Sequence, residues 1–310
     1  MSVEQELANL SPTRDTLLTV GVFDGVHLGH RKLLASLVAE AKKENLISGV
    51  VTFRQHPRSL LQPQPDFKLL TSLHRRIQLL KEEGVELIVS LNFTLELAQL
   101  GIQHFVGLLQ HQLRMRGLVV GPDFAMGRNR EGDIATLQAM QKSWGFSLTV
   151  VPPGSAGGQV ISSTAIRQAL AEGDMPAVKA MLGRYFRLEG SVIAGSGRGR
   201  DLGFPTANLD IDPVQALPAD GVYATLAYLD DRPLASVTSI GGRPTFGETE
   251  RGVEVHILDY SGELYTRQLK VDIIERLRSQ QRFTDGEKLT AQVAKDIAKA
   301  KSILSSVDSG

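Results

Sequence analysis

The chain contains no cysteine, which removes disulfides, thiolate nucleophiles and cysteine-bound zinc or iron–sulfur clusters and fits a reducing compartment. It carries no excess of either charge: 34 Lys and Arg balance 34 Asp and Glu, so no global field favours nucleic acid or an anionic membrane. No segment reaches the run of about 18 apolar residues that a bilayer span requires. The beginning is polar and acidic, unlike a targeting segment with a basic stretch ahead of an apolar one. Internal repeats and low-complexity tracts are also missing. These features lead to the expectation of a cytoplasmic protein that handles small molecules, with neither nucleic acid nor membrane as partner, and they set no oligomeric state. At 310 residues, and with roughly 100 to 200 residues per domain, two domains are expected.

Apolar stretches at residues 17–23, 46–53, 85–91, 118–121 and 146–151 read as strands, separated by helical patterns such as 73–83, which stops at Gly84. This alternation predicts a Rossmann-like α/β domain: a parallel sheet with helices on both faces and ligands beyond the carboxyl ends of its strands. Pro152, Pro153, Gly154, Gly157 and Gly158 then predict a flexible loop, followed by a helix over 162–170 stopping at Gly173 and a short one capped by Asp174. From Tyr185 the grammar changes. Short apolar stretches at 186–193, 222–228, 235–240, 253–259 and 269–274, broken by Gly, Pro and Asp, predict an antiparallel β-barrel or sandwich, and 289–304 reads as a terminal helix packed on it. The boundary is placed at 182, giving domains 1–182 and 183–310.

The segment Gly21-Val22-Phe23-Asp24-Gly25-Val26-His27-Leu28-Gly29-His30 joins the first strand to an amphipathic helix. A helix start leaves about four N–H groups unpaired and carries partial positive charge, which suits phosphate. Histidines three apart share one helix face and can both donate to phosphate oxygens. His-x-Gly-His resembles the signature of nucleotidyltransferases, which attack the α-phosphate of a nucleoside triphosphate and release pyrophosphate. Three further segments resemble the adenylyltransferase half of the bifunctional bacterial riboflavin kinase/FAD synthetase family: Thr52-Phe53-Arg54-Gln55-His56-Pro57, Val120-Gly121-Pro122-Asp123-Phe124-Ala125-Met126-Gly127, and Ile161-Ser162-Ser163-Thr164-Ala165-Ile166-Arg167. Ser162 or Ser163 can cap the helix that follows. The resemblance implies that FMN attacks Mg-ATP to give FAD. It assigns His27, His30 and Arg167 to the transferred and departing phosphates, Gly21 and Phe23 to the ATP pocket, Asp24 and Asp123 to polar contacts with the nucleotide, and Ser162, Ser163 and Thr164 to the phosphates. Met126 stands where the family often has an aromatic ring, a change of packing more than of chemistry.

A second constellation, Gly195-Ser196-Gly197-Arg198-Gly199-Arg200-Asp201-Leu202-Gly203-Phe204-Pro205-Thr206-Ala207-Asn208, sets a glycine-rich loop ahead of Pro-Thr-Ala-Asn. Its glycines can bring main-chain N–H groups to phosphates, and Thr206 and Asn208, two apart on extended chain, offer two oxygens on one side to Mg²⁺. With Gly221-Val222-Tyr223-Ala224, Ile240-Gly241-Gly242-Arg243-Pro244-Thr245-Phe246-Gly247 and Val253-Glu254-Val255-His256-Ile257, the order resembles riboflavin kinases. That resemblance makes Glu254 the general base for the ribityl 5′-hydroxyl of riboflavin as it attacks the γ-phosphate of ATP. It puts Gly195, Gly197, Arg198 and Gly199 at the ATP, and Arg278 and Phe283 at the flavin. His256 is expected to be structural. Three positions depart from the family: Ser239 where Asn is common, Thr266 where Gly usually follows Leu-Tyr, and Gln280 where Glu is usual. Two other readings are a nucleotidyltransferase for a different phosphate acceptor and a flavin-binding regulatory protein with decayed catalysis. The intact His27, His30, Thr206, Asn208 and Glu254 weigh against decay.

Overall fold

A computed structural model describes the chain apart from residues 1, 9, 11, 62–66, 157–158, 196–198, 200–202, 243–250, 284 and 308–310. It divides into two compact units, Met1–Ser163 and Thr164–Gly310.

The first unit runs α1 (Val3–Ala8), β1 (Thr16–Val20), α2 (Leu28–Lys43), β2 (Ile47–Phe53), α3 (Pro57–Leu61), α4 (Leu73–Glu82), β3 (Leu87–Leu91), α5 (Leu95–Ala98), α6 (Ile102–Leu113), β4 (Met115–Val120), β5 (Ala125–Met126), β6 (Gly132–Asp133), α7 (Ile134–Trp144), β7 (Ser147–Val150), β8 (Ser155–Ala156) and β9 (Gln159–Val160). Five strands form a parallel sheet in the order β3-β2-β1-β4-β7. Side chains alternate across its faces as a period of two demands. Leu18, Val20, Val51 and Val120 join the core under α6 and α7, whereas Leu17, Val50 and Val119 join the core under α2 and α4. Strand order reverses between β1 and β4, so the crevice beyond their carboxyl ends is where a doubly wound sheet receives its ligand. Two features depart from expectation. Residues 155–156 and 159–160 pair as the β8–β9 hairpin, where loop was expected; Gly157 and Gly158 lie outside the described residues. Helices α6 and α7, which carry much of one core, were not anticipated.

The second unit takes up all of α8 (Ser163–Glu172) but its first residue, then α9 (Met175–Leu182), the latter capped by Asp174 as expected. It continues with β10 (Phe186–Ile193), β11 (Ala207–Ile211), β12 (Gly221–Leu229), β13 (Arg232–Gly242), β14 (Arg251–Ile257), β15 (Gln268–Arg278) and α10 (Gly286–Ser305). The six strands close into an antiparallel barrel in the order β10-β11-β14-β13-β12-β15. Closure removes the exposed sheet edges that invite aggregation. Along β12, Val222, Ala224 and Leu226 share a cluster with Ala300 and Leu304 of α10, so one face of β12 is covered by the terminal helix. Tyr223, Thr225 and Ala227, on the opposite face, are completely buried. By packing, α8 and α9 go with this unit although they precede residue 182. Among the described residues no helix is long and apolar enough to cross a membrane.

Candidate functional site

The turn after β1 is built by backbone that most residues avoid. Phe23 (φ 53°), Gly25 (φ 82°) and Val26 (φ 37°) all take positive φ, and the amide of Val26 donates to Phe23 O at 3.1 Å. Non-glycine residues in such conformations cost of order 1 to 3 kcal/mol each and persist only where the surroundings enforce them. Here they do. Phe23 and Val26 are buried, and a Cβ at Gly21 would lie 3.0 Å from the Phe23 ring, so the ring folds back over Gly21. Asp24 turns its carboxylate to the segment leading into α4, accepting from Leu70 N at 3.0 Å and Thr71 N at 3.2 Å. Gly25 N donates to Thr71 Oγ1 at 3.1 Å. Asp24 thereby fastens this turn to α4.

His27 is the N-cap of α2, not part of its first turn: its Nδ1 accepts the amide of His30 at 3.2 Å. The two imidazoles stack with centroids 3.7 Å apart and planes inclined by 12°, and Phe23 sits 5.1 Å from His30. Burial, joined by repulsion from His27, holds the His30 ring well below the usual histidine range; its Nδ1 is sealed from water with no hydrogen-bond partner among the described residues. The glycine between the histidines has a steric reason. A Cβ at Gly29 would stand 3.1 Å from His27 Cε1 and Nδ1, and one at Gly154 would stand 2.8 Å from Gly29 Cα, so the backbone of residue 154 comes close against the helix start. Ser163 is the first residue of α8, and its hydroxyl donates to Asp24 O at 2.9 Å instead of capping the helix. Gly21, Phe23, Asp24, His27, His30 and Ser163 thus form one connected cluster. Ser162 is half-buried beside it, while Thr164 and Arg167 fall on α8 within the second unit.

Beyond β4 an open cleft of about 500 Å³ is lined by Asp123, Phe124, Arg130 and Asp133, among others. Asp123 is exposed, and Arg130 steadies it by donating to its carbonyl at 3.1 Å. A second cleft of about 450 Å³ lies past β2 and β3, lined by Gln55, Ser59, Leu60, Asn92, Phe93 and Thr94. Both open on the carboxyl side of the sheet.

In the second unit, Asn208 on β11 stands directly opposite Glu254 on β14, and Glu254 directly opposite Ser239 on β13. Residues opposed in register project from one face, so Asn208, Glu254 and Ser239 form a row across three strands. Two glycines of the preceding segment, Gly195 and Gly199, come close to this end of β11. A Cβ at Gly195 would overlap the amide of Asn208, and one at Gly199 would lie 3.2 Å from Thr206 Oγ1. Gly197 and Arg198, together with Arg200, Asp201, Leu202 and residues 243–247, lie outside the described residues. His256 donates from Nδ1 to Pro205 O at 2.8 Å and meets Phe204 edge-on at 5.8 Å, which steadies the chain just ahead of Thr206.

Arg278 pairs with Asp296 of α10 at 2.8 Å, and its guanidinium lies 5.8 Å from the centre of the Phe283 ring. Asp296 is buried and also accepts from Gln292 at 2.9 Å. Arg278 therefore ties β15 to the terminal helix, with Phe283 alongside.

The residue types suit a divalent ion shared with phosphate. Thr206 and Asn208 offer neutral oxygens, a Cβ at Gly195 would overlap the Asn208 amide, and no group of three or more His, Cys, Asp or Glu that could hold a metal by itself occurs among the described residues. Magnesium-type sites commonly use few protein ligands and take the remainder from phosphate and water.

Sequence reasoning passed over two anchoring residues, Thr71 and Arg76. Arg76 is completely buried and occupies the apolar stripe of α4 with Leu79 and Leu80. A cation at a core position of an amphipathic helix was the available signal.

Comparison with known proteins covers both units. Residues 10–165 match the FAD synthetase family and residues 182–304 the riboflavin kinase family. The chain is 39% identical over 300 residues to the bifunctional riboflavin kinase/FMN adenylyltransferase of Escherichia coli (strain K12), covering 96% of each chain. It is 36% identical to the protein of that name from Pseudomonas fluorescens, over 98% of each, and 32% identical to that of Bacillus subtilis (strain 168), over 91% of this chain and 90% of the relative. A crystal structure described as a macrolide-efflux protein from Streptococcus pneumoniae shares the fold with a TM-score of 0.88 and 30% identity, over 95% of this chain and 96% of that one.

Proposed function

Since the chain belongs to the bifunctional riboflavin kinase/FMN adenylyltransferase family, we propose that residues 1–182 carry adenylyl transfer, residues 183–310 carry riboflavin phosphorylation, and each reaction has its own ATP site. The protein is a riboflavin kinase and an FMN adenylyltransferase. The observation that carries the division of labour is that two separate phosphate-type constellations occur in one chain: a stacked histidine pair at a helix start, and Gly195 and Gly199 packed close to Asn208 and Thr206 with Glu254 opposite Asn208.

In the adenylyl site, the terminal phosphate of FMN attacks the α-phosphate of ATP, giving FAD and pyrophosphate. Positioning and charge neutralisation carry such a reaction. With Nδ1 of His27 accepting an amide, the proton of its neutral ring rests on Nε2, which donates to phosphate. His30 and Arg167 share that task, and Ser162, Ser163 and Thr164 add donors. Gly21 and Phe23 line the nucleotide pocket, Asp123 contacts the nucleotide, and Asp24 does its part by holding the turn to α4.

In the kinase site, the main chain at Gly195, Gly197 and Gly199 cradles the phosphates of ATP with Arg198, and Glu254 takes the proton from the 5′-hydroxyl as it attacks the γ-phosphate. Thr206 and Asn208 hold the divalent metal, taken here as Mg²⁺, which when bound neutralises phosphate charge. Arg278 and Phe283 face the flavin, Arg278 by fixing α10. Riboflavin, FMN and ATP are the small-molecule partners, and the cysteine-free sequence supports a cytoplasmic setting. A nucleotidyltransferase for another phosphate acceptor would leave the 182–304 match without a use. Incubation of the purified chain with riboflavin, ATP and Mg²⁺ should yield FMN first and FAD next in one time course; absence of both products would remove the assignment.

A further inference from the structure

Arg76 lies where the packing of α4 calls for an apolar side chain. Burying a guanidinium costs several kcal/mol unless the charge is paired and its donors are satisfied. Among the described residues Arg76 has no ion pair; its hydrogen bonds go to main-chain carbonyls, Nη1 to Val22 O at 2.8 Å and Nη2 to Phe53 O at 2.7 Å. Its Nε is buried with no hydrogen-bond partner among the described residues. Burial pulls the guanidinium below its usual value, and Asp24 opposes that pull without contacting it. Leu or Met at this place would fill the stripe without the desolvation penalty. The charge therefore calls for a use.

The places of the two carbonyls supply one. Phe53 ends β2, and Val22 lies in the turn between β1 and His27. Val22 O also accepts the Thr52 hydroxyl at 3.0 Å, so Arg76 and Thr52 converge on a single oxygen. The same helix is fastened to the turn at its lead, where Leu70 and Thr71 donate to Asp24. Arg76 adds a second fastening, about one turn into α4. A charge sealed from water is weakly screened, so its field persists across the few ångströms of backbone above it. Fixed charge of this kind needs no reorganisation when phosphate charge develops.

We propose that Arg76 is a positioning residue for adenylyl transfer: its guanidinium clamps the turn that presents His27 and His30 and sets a permanent positive charge beneath it. This rests on the adenylyl-transfer reading of the first unit. The test uses the full chain, in which riboflavin phosphorylation by the same preparation gauges the second unit and urea unfolding of each variant gauges the first. FAD formation from FMN and Mg-ATP, and FMN formation from riboflavin and Mg-ATP, are measured for the parent, Arg76→Gln and Arg76→Lys.

Arg76→Gln should lower kcat for FAD formation by at least about fivefold while the KM for ATP moves by less than that factor, the pattern of an interaction made in the transition state. FMN formation should keep at least half its parent rate. Arg76→Lys, which restores the charge, should be at least about threefold faster than Arg76→Gln in making FAD. A smaller loss in Arg76→Gln, a loss carried in KM, a parallel fall of both reactions, or a lysine variant no better than glutamine would each overturn the proposal. A parent chain that makes no FAD would instead sink the reading of the site, so the two failures are told apart.

Discussion

The imidazoles of His27 and His30 stack at 3.7 Å while the Nδ1 of one accepts the main-chain amide of the other, so neighbouring rings are placed where a second positive charge is costly. Burial and this neighbour keep His30 well below the ordinary histidine value of 6.5. The sign follows from linkage. Below 6.5 the unfolded chain takes up a proton at this residue and the folded chain does not, so stability present above 6.5 is lost as pH falls, until the folded value is reached. His30→Asn removes the group, and its unfolding free energy should therefore decline less steeply between pH 7 and 5 than the parent's. The difference in slope can approach about 1.4 kcal/mol per pH unit for one proton. Urea unfolding of both proteins across that range measures it, and parallel pH curves would contradict the buried neutral ring.

Gly29 is explained by contact with the His27 ring more than by backbone freedom. In Gly29→Ala the new methyl would sit 3.1 Å from two ring atoms, close enough that the ring must shift while it serves as cap and stacks on His30. The lost cap should cost about 0.5 to 1 kcal/mol. Displacing the ring should slow FAD formation by about tenfold, since small misplacements weigh heavily where catalysis is positioning. FMN formation should be unchanged. Steady-state assays of both steps test this, and a fully active alanine variant would show that the ring tolerates the shift.

The alternation of strand and helix and the switch to short strands after Tyr185 were legible because each unit's period matches its burial: Leu17 and Leu18, adjacent in β1, enter different cores. The family was legible as well, because several motifs in the right order, and no single one of them, resemble its two halves. The contacts were not. The aim of Asp24 at Leu70 and the hydroxyl of Ser163 on Asp24 O join residues 46 and 139 positions apart, and no local pattern encodes such pairings. Helix α6, by contrast, was open to reading: Ile102, Phe105, Val106, Leu109 and Leu113 are buried at intervals of three and four.

Glu254 is flanked across the sheet by Asn208 and Ser239, so an isosteric change can remove its basicity and leave the row in place. Glu254→Gln should reduce FMN formation by about 10² to 10⁴, the range for a lost general base, and leave conversion of supplied FMN to FAD at the parent rate. Following riboflavin, FMN and FAD together separates the two steps. Equal loss of both reactions would contradict independent sites.

Thr266 stands where the family usually has glycine, and the structure supplies a reason: its φ is 62°. The left-handed conformation costs an L-residue roughly 1 to 2 kcal/mol, and threonine, branched at Cβ, belongs at the upper end. The turn is nevertheless held, because Thr266 N donates to Val192 O at 3.0 Å and Arg267 N to Leu264 O at 3.1 Å. Thr266→Gly keeps both bonds and relieves the strain, but it loosens the unfolded chain by about 0.5 to 1 kcal/mol. Relief exceeds that loss, so the variant should be more stable by about 1 to 1.5 kcal/mol. Denaturant unfolding followed by a probe in the barrel measures it. The kinase rate should rise little, since Thr266 belongs neither to the Asn208–Glu254–Ser239 row nor to the glycine-rich segment ahead of Thr206. A destabilised glycine variant would mean that side-chain contacts of the threonine outweigh the strain of its backbone.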